Sequence, residues 1–283
     1  MANYTAADIK ALREKTGAGM LDVKNALAEA DGDAAKAEEL LRLKGLKTAA
    51  KREGRTASNG LVVSKIVDVE GGQKGYVVEV NSETDFVAKN EKFIAFAEEI
   101  LAAAVENDAE TVEAVLAAPH ADGTVADRVA NFTGVIGEKL AVGSVNVLKG
   151  EHVEAYMHST ATGVPPQVAV LVATDAAGAE VAHEVAVHIA AMSPLYLSED
   201  QIPEEDVERE RKIATELTIQ EGKPEKAVPK IVEGRLKSYF KQVALLDQPY
   251  ARDPKQTVAQ VVNASGGNVT GFVRVRVGES AAE

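Results

Sequence analysis

Apolar and polar positions alternate between two periods along this chain, and the switches between them divide it into helices and strands. Over residues 5–45 the period is that of amphipathic helices. Thr5, with Asp8 three positions on, resembles a capping box, and Ile9 and Leu12 open an apolar face that Gly17-Ala18-Gly19 interrupts. Val23, Ala26, Leu27 and Ala30 mark a second helix. Asp31-Gly32-Asp33 then turns the chain into a third helix, with Ala37, Leu40 and Leu41 inward and Gly45 placed to stop it. Residues 46–60, carrying Lys47, Lys51, Arg52 and Arg55, read as a solvated basic linker. A β-hairpin is expected next, with strands over 61–69 and 75–81 around a Gly71-Gly72 turn. It leads into a helix whose face is Phe93, Phe96, Ala97, Ile100, Leu101 and Ala104. Two shorter helices follow, one over 111–118 and one from Thr124.

Residues 139–192 repeat this unit. Strand patterns cover 140–148, 153–158 and 167–174, and a helix carries Val181, Val185, Ile189 and Met192. Each long helix follows a Val-rich strand, which is the pattern of a weak internal duplication. From Pro194 the texture changes. A charged helix over 204–221 has sparse apolar positions (Val207, Ala214, Leu217), Gly222-Lys223-Pro224 turns, and a second helix carries Val228, Ile231, Val232, Leu236, Tyr239 and Phe240. Two helices joined by a short Gly-Pro turn form an antiparallel hairpin, here with one narrow apolar seam, expected to project from the body as a short coiled coil. Residues 272–277 close the chain as a cleanly alternating strand with one face expected in solvent. The fold class is therefore α+β. The expected division is a three-helix module and linker (1–55), a first core segment (56–138), a second core segment (139–196 and 244–283), and an inserted helical hairpin (197–243).

Between the first hairpin and its helix lies Glu79-Val80-Asn81-Ser82-Glu83-Thr84-Asp85-Phe86-Val87-Ala88-Lys89. Strand-to-helix loops on a rigid scaffold commonly display binding groups, and Thr84, Asp85, Phe86 and Val87 read as a candidate working tip. The competing reading makes Ser82 or Thr84 a plain helix cap, Asp85 a first-turn acid, and Phe86 and Val87 core residues. The second repeat lacks the Thr-Asp-Phe-Val sequence, so the fold of the unit does not require it. Met20 and Leu21, just after the glycine turn, either complete a small core, the reading favoured on residues alone, or contact a partner.

Composition narrows the chemistry. A formal net charge of −13 over 283 residues argues against binding nucleic acid or anionic membranes by bulk attraction. Without cysteine there are no disulfides, thiolate metal sites or cysteine nucleophiles, which fits a reducing cytoplasm. The N-terminus has neither a basic region nor an apolar leader core, and no stretch approaches membrane-spanning length. Phosphate-cradling, dinucleotide and nucleophile-elbow motifs are absent, and the five histidines have no metal-ligand spacing. No cofactor is expected. Glu83 and Asp85 lie too close in sequence to read as an acid–base pair, so a hydrolase ranks well below a binding protein.

Residues 12–27, Leu-Arg-Glu-Lys-Thr-Gly-Ala-Gly-Met-Leu-Asp-Val-Lys-Asn-Ala-Leu, and residues 79–89 together resemble the two signatures of the bacterial elongation factor Ts family, in that family's order and spacing. Lys223-Pro224, Val232-Glu233-Gly234-Arg235 and Thr270-Gly271-Phe272 resemble it as well. The resemblance implies guanine-nucleotide exchange on the translational GTPase elongation factor Tu, bound with GDP and nucleotide-free. It makes the N-terminal module similar to a ubiquitin-associated domain that grips the GTPase domain together with the first core half, while the second half reaches domain 3. Carried over residue by residue, Asp85 and Phe86 would intrude beside the nucleotide, with Phe86 wedged in a partner pocket, disturbing the magnesium site. Arg13, Met20, Leu21 and Lys24 would be N-terminal contacts, Ile136-Gly137 a further contact to the GTPase domain, and His158 a contact from the second core half. An extra C-terminal helix found in some members is expected to be missing after Val277, and Leu21 stands where methionine is common. A homodimer through the core or the hairpin is left open. The alternative is a ubiquitin-like or peptide-binding adaptor using Met20 and Leu21.

Overall fold

The computed structural model describes residues 3–121 and 123–279. The stretches at either end, where the absence of a leader core and of a further helix was expected, fall partly outside those residues. Helices α1 (Ala6–Thr16), α2 (Met20–Glu29) and α3 (Ala34–Arg52) form the N-terminal module. Its first helix opens with the Thr5–Asp8 capping box and ends on Gly17 in the left-handed conformation at φ 68°. Leu12, Val23, Ala26, Leu27, Ala30 and Ala37 make its small core. The expected stop at Gly45 does not occur, because α3 continues to Arg52. Gly45 instead lies at a close crossing with α7 (Val125–Ile136). A Cβ on Gly134 would sit 2.3 Å from the Gly45 Cα, so the two backbones meet with no side chain between them. The expected basic linker is likewise helical in its first part, and its Arg52 and Arg55 are engaged, as described below.

The core has four layers. Strands β1 (Asn59–Val69) and β2 (Gly72–Ser82) form the expected hairpin, with Leu61 opposite Val80 and Val63 opposite Val78. The one-turn helix α4 (Asp85–Ala88) and the long helix α5 (Glu91–Glu106) follow. Then come α6 (Val112–Ala117), the two-residue strands β3 (Pro119–His120) and β4 (Gly123–Thr124), and α7. Strand β5 (Leu140–Gly150), which the sequence division places in the second core segment, is hydrogen-bonded to β2 and completes the first sheet in the order β1-β2-β5. Valine-rich alternation marks a strand without naming its neighbour. The second sheet has the order β10-β7-β6, from β6 (His152–His158), β7 (Val168–Thr174) and β10 (Val269–Arg276). Helix α8 (Ala179–Met192) follows β7 as α5 follows β2, so the duplicated strand–helix unit is present. Near the end stand the short strands β8 (Pro249–Tyr250) and β9 (Asp253–Thr257) and helix α11 (Val258–Ala264).

The two sheets pack face to face through Val62, Val77, Leu148, Val153, Leu171 and Val275. The outer face of the first is covered by Phe93, Phe96, Ile100 and Phe132, and that of the second by Val185, Ile189, Val258 and Val262. Each such aromatic or branched side chain contributes about 1.5–3 kcal/mol on burial. The closing strand departs from expectation, since neither face is simply solvated. Phe272 packs under α8 and α11, and Arg274 is largely covered and ion-paired to Glu279. An alternating strand looks half-solvated in sequence, but here helices cap the layer outside it.

The inserted hairpin consists of α9 (Glu204–Gln220) and α10 (Val228–Val243), with Ala214, Val232 and Leu236 in the seam. Leu217, expected inward, is exposed, and Thr218 takes the buried position with its hydroxyl donating to the Ala214 carbonyl at 2.6 Å. Ala214 keeps its place in the seam, and only one turn further on does the inward position fall one residue later than the apolar pattern suggests. No helix among the described residues is long and apolar enough to cross a membrane.

Candidate functional site

Strand β2 ends under tight constraint. Its register with β5 shifts between Glu79 and Val80, where Gly143 is the extra residue. A Cβ there would lie 2.0 Å from Asn81 Oδ1. That room lets the fully buried Glu79 accept from Asn81 Nδ2 (2.8 Å), Ser144 Oγ (3.1 Å) and the Gly278 amide (2.8 Å). The residues that follow leave the sheet from a fixed end.

Thr84 then caps α4, its hydroxyl accepting from the Val87 amide at 3.4 Å. A separate cap, Asn90, starts α5 by accepting from the Lys92 amide at 2.9 Å. Two caps in succession take Phe86 out of the register of the long helix. Ala88 is buried and Val87 packs half-buried on the first core, whereas Phe86 is 82 % exposed. Packing therefore excludes the core reading for Phe86 and keeps it for Val87. Asp85 accepts from Lys89 Nζ at 2.6 Å, and this hydrogen bond is the first cause of its lowered pKa.

The loop before α4 is gripped from two sides. Glu138, the residue after α7's left-handed cap Gly137 (φ 80°), accepts from the Thr84 amide at 3.0 Å and the Thr84 hydroxyl at 2.8 Å. Glu83 accepts from the Lys139 amide (2.6 Å), Arg52 Nη1 (3.1 Å) and Arg55 Nη1 (3.0 Å). Lys139 Nζ donates to the carbonyls of Glu53 (2.7 Å) and Arg55 (2.8 Å). The supposed linker is thus tied to the base of the tip, where Arg52 and Arg55 both pair with Glu83.

The Lys139 amide, acting against the cost of burial, and then Arg55 and Arg52, hold the Glu83 carboxyl below its ordinary value of 4.5. Because the folded pKa lies below the unfolded one, this pairing stabilises the fold in full above that value and is lost as pH falls through and below it. Glu83→Gln is expected to flatten the decline in stability as pH falls below 4.5, measured by urea unfolding at stepped pH. An unchanged acid limb would show that Glu83 is not what titrates.

The remaining sequence candidates fall into two groups. Met20 (62 % exposed) and Leu21 (68 % exposed) stand open at the start of α2, not in the small core favoured for them. The core of the module is filled by Leu12, Val23 and Leu27 from the opposite faces. Arg13 and Lys24 are also exposed. A surface cavity of about 620 Å³ is lined by Ile9, Arg13, Met20 and Lys92, and Lys92 belongs to the first turn of α5 just past the tip. The N-terminal residues and the tip therefore share one end of the molecule. Ile136 and Gly137 join them there, because the next residue, Glu138, holds Thr84. His158 does not join this group. It is exposed at the end of β6, in the other sheet, with its Nδ1 3.1 Å from the Tyr156 hydroxyl.

Glu83 and Asp85, the pair weighed for hydrolysis, are committed to Arg52, Arg55 and Lys139 and to Lys89 respectively. Among the described residues no group of three His, Asp or Glu side chains is placed to hold a metal ion. Sequence reasoning missed Glu138 and Lys139, which carried no signal. It also missed the Glu83–Arg52–Arg55 pairing, whose signal was a run of cations facing an acidic tip.

The site is thus a braced, exposed aromatic tip near a second exposed apolar pair, with its acidic groups bound up in structural pairs. The family model for elongation factor Ts matches residues 83–279. The elongation factor Ts of Beutenbergia cavernae is 58% identical over 280 residues, 98% of this chain and 100% of that protein. Those of Micrococcus luteus (55% over 281 residues, 98% and 100%) and Bifidobacterium longum (50% over 283 residues, 100% of both chains) are similar throughout as well. The chain belongs to the elongation factor Ts family, whose members act in translation elongation.

Proposed function

We propose that this chain is a guanine-nucleotide exchange factor that binds elongation factor Tu·GDP and promotes GDP release, working in the cytoplasm without covalent chemistry of its own. The observation that carries the reading is Phe86, 82 % exposed on a one-turn helix whose base is held by two carboxylates. A ring left in water at a fixed place is an anchor waiting for a pocket, and buried aromatic anchors dominate interface energies. Family membership supplies the partner.

In this reading Phe86 enters a pocket beside the nucleotide, with Asp85 and Thr84 at its edge and Val87 fixing its base. Arg13, Met20, Leu21 and Lys24 hold the same GTPase domain from the N-terminal module, and Ile136-Gly137 fill the space between. His158 lies on a separate surface suited to a second domain of the partner. GTPases retain nucleotide through Mg²⁺ and backbone groups around the phosphates. A wedge that fits best when those groups are displaced lowers nucleotide affinity, and nucleotide lowers wedge affinity by the same factor. The peptide-adaptor reading also requires an exposed Met20 and Leu21, but it leaves the braced Phe86 without a use.

Reciprocity gives the test. Calorimetric affinity of the chain for elongation factor Tu is expected to be at least about tenfold weaker with saturating GDP than without nucleotide, and GDP affinity is expected to fall by the same factor when the chain is bound. Equal affinity for the two partner states would remove any basis for exchange.

A further inference from the structure

We infer that Glu138 is the positioning residue of the tip. By binding the amide and hydroxyl of Thr84 it holds the Asp85–Ala88 turn in the conformation that presents Phe86, and through its neighbour Lys139 it registers that turn against the N-terminal module. The inference rests on the exchange reading and adds to it the group that prepares Phe86 for binding.

A four-residue helix does not persist by its own hydrogen bonds, since nucleation costs more than one turn returns. Phe86 gains nothing from the core, so its position is determined by what holds its ends. At the C-terminal end these are the packing of Val87 and the burial of Ala88. At the N-terminal end it is Thr84, and Thr84 is oriented by Glu138. Its hydroxyl proton goes to Glu138 Oε1 at 2.8 Å, which leaves the oxygen lone pairs directed at the Val87 amide. Its own amide, which has no helical partner, donates to Glu138 Oε2 at 3.0 Å. The Thr84 carbonyl accepts from Ser82 Oγ at 2.9 Å, so the flanking loop is engaged as well.

The clamp is itself immobilised. Glu138 follows a glycine whose left-handed backbone ends α7, and the Lys139 amide and Nζ are bonded to Glu83 and to the carbonyls of Glu53 and Arg55. Residues 138–139 therefore connect the exit of α3, the end of β2 and the tip. The second repeat shows that the fold does not require this arrangement. There the corresponding turn is closed by Asp175, which accepts from the Gly178 and Asn268 amides, and no exposed aromatic is displayed. The clamp accompanies the tip, not the strand–helix unit.

A tip that is released samples conformers that cannot dock, and apparent affinity falls in proportion to the competent fraction. Glu138→Ala is expected to raise the chain concentration for half-maximal release of fluorescent GDP from elongation factor Tu about tenfold, with less than about a twofold change in the rate at saturation. In the free chain, the Thr84 and Val87 amides are expected to exchange hydrogen faster while the α5 amides do not. In a Phe86→Ala background the same substitution is expected to add less than about twofold, because both changes act on one contact. An equal loss in both backgrounds, or unaltered exchange at Thr84 and Val87, would overturn the inference. Should Glu138→Ala lower the thermal midpoint of the whole chain, Glu138→Gln, which keeps the volume and one acceptor, replaces it in all three measurements. A wild-type chain that releases no GDP would defeat the exchange reading alone, and amide exchange in the free chain would then decide the clamp.

Discussion

Replacing Phe86 by alanine is expected to lower the efficiency of GDP release from elongation factor Tu by about a hundredfold, as befits an aromatic anchor worth two or more kcal/mol. Folding stability is expected to stay within about 0.5 kcal/mol of wild type, because the ring is 82 % exposed and leaves no cavity when removed. The contrast between the two readouts is what makes the substitution informative. A core phenylalanine behaves in the opposite way. Phe96, fully buried against Phe132 with ring centroids 4.7 Å apart, would cost about 3–5 kcal/mol of stability on truncation to alanine. Stopped-flow release and urea unfolding on the same preparation separate the cases. A Phe86→Ala chain that loses stability but releases GDP normally would return the ring to a structural role.

The second large effect is expected where the N-terminal module meets the core. The crossing of α3 on α7 is asymmetric. A Cβ on Gly134 would meet the Gly45 Cα at 2.3 Å and its carbonyl carbon at 3.0 Å, whereas a Cβ on Gly45 would meet nothing closer than 3.7 Å. Backbone atoms cannot swing aside as a side chain does. Gly134→Ala is therefore expected to push α3 off α7 and cost about 1–3 kcal/mol. Gly45→Ala is expected to be neutral or to stabilise by up to about 1 kcal/mol, since glycine within a helix forfeits backbone entropy. Displacing α3 also moves Met20 and Leu21 relative to the tip, so Gly134→Ala is expected to weaken binding to elongation factor Tu while Gly45→Ala leaves it intact. Urea midpoints and calorimetric affinities of the two variants check this. Equal behaviour of the two would contradict the crossing geometry.

Local patterning made most elements legible, because caps and periods act within a few residues. The Thr5 box, the Gly71-Gly72 turn, the Phe93 face and the Gly222 turn all stand where the sequence places them. What was not legible depends on residues distant in the chain. Gly45 carries the same local signal whether it ends a helix or crosses one, and only Gly134 decides. Arg52 and Arg55 resemble a solvated linker until Glu83 and Lys139 are brought beside them. Strand β5 carries no mark of its partner.

The tip lies between these cases. Its residues were legible as a candidate, but the exposure of Phe86 follows from the second cap at Asn90, and reading Ser82 or Thr84 as the sole cap hid that. Glu138 was invisible because a single carboxylate after a glycine has no pattern. It acts through a fold contact, across two elements that meet only in three dimensions.

The most direct test of the account is rapid mixing of the intact chain with elongation factor Tu carrying fluorescent GDP. The account predicts that release accelerates with chain concentration and saturates, and that substoichiometric chain turns over many partner molecules. A folded chain that leaves release at its spontaneous rate would contradict it, and the exposed Met20 and Leu21 would then have to be explained by a different partner.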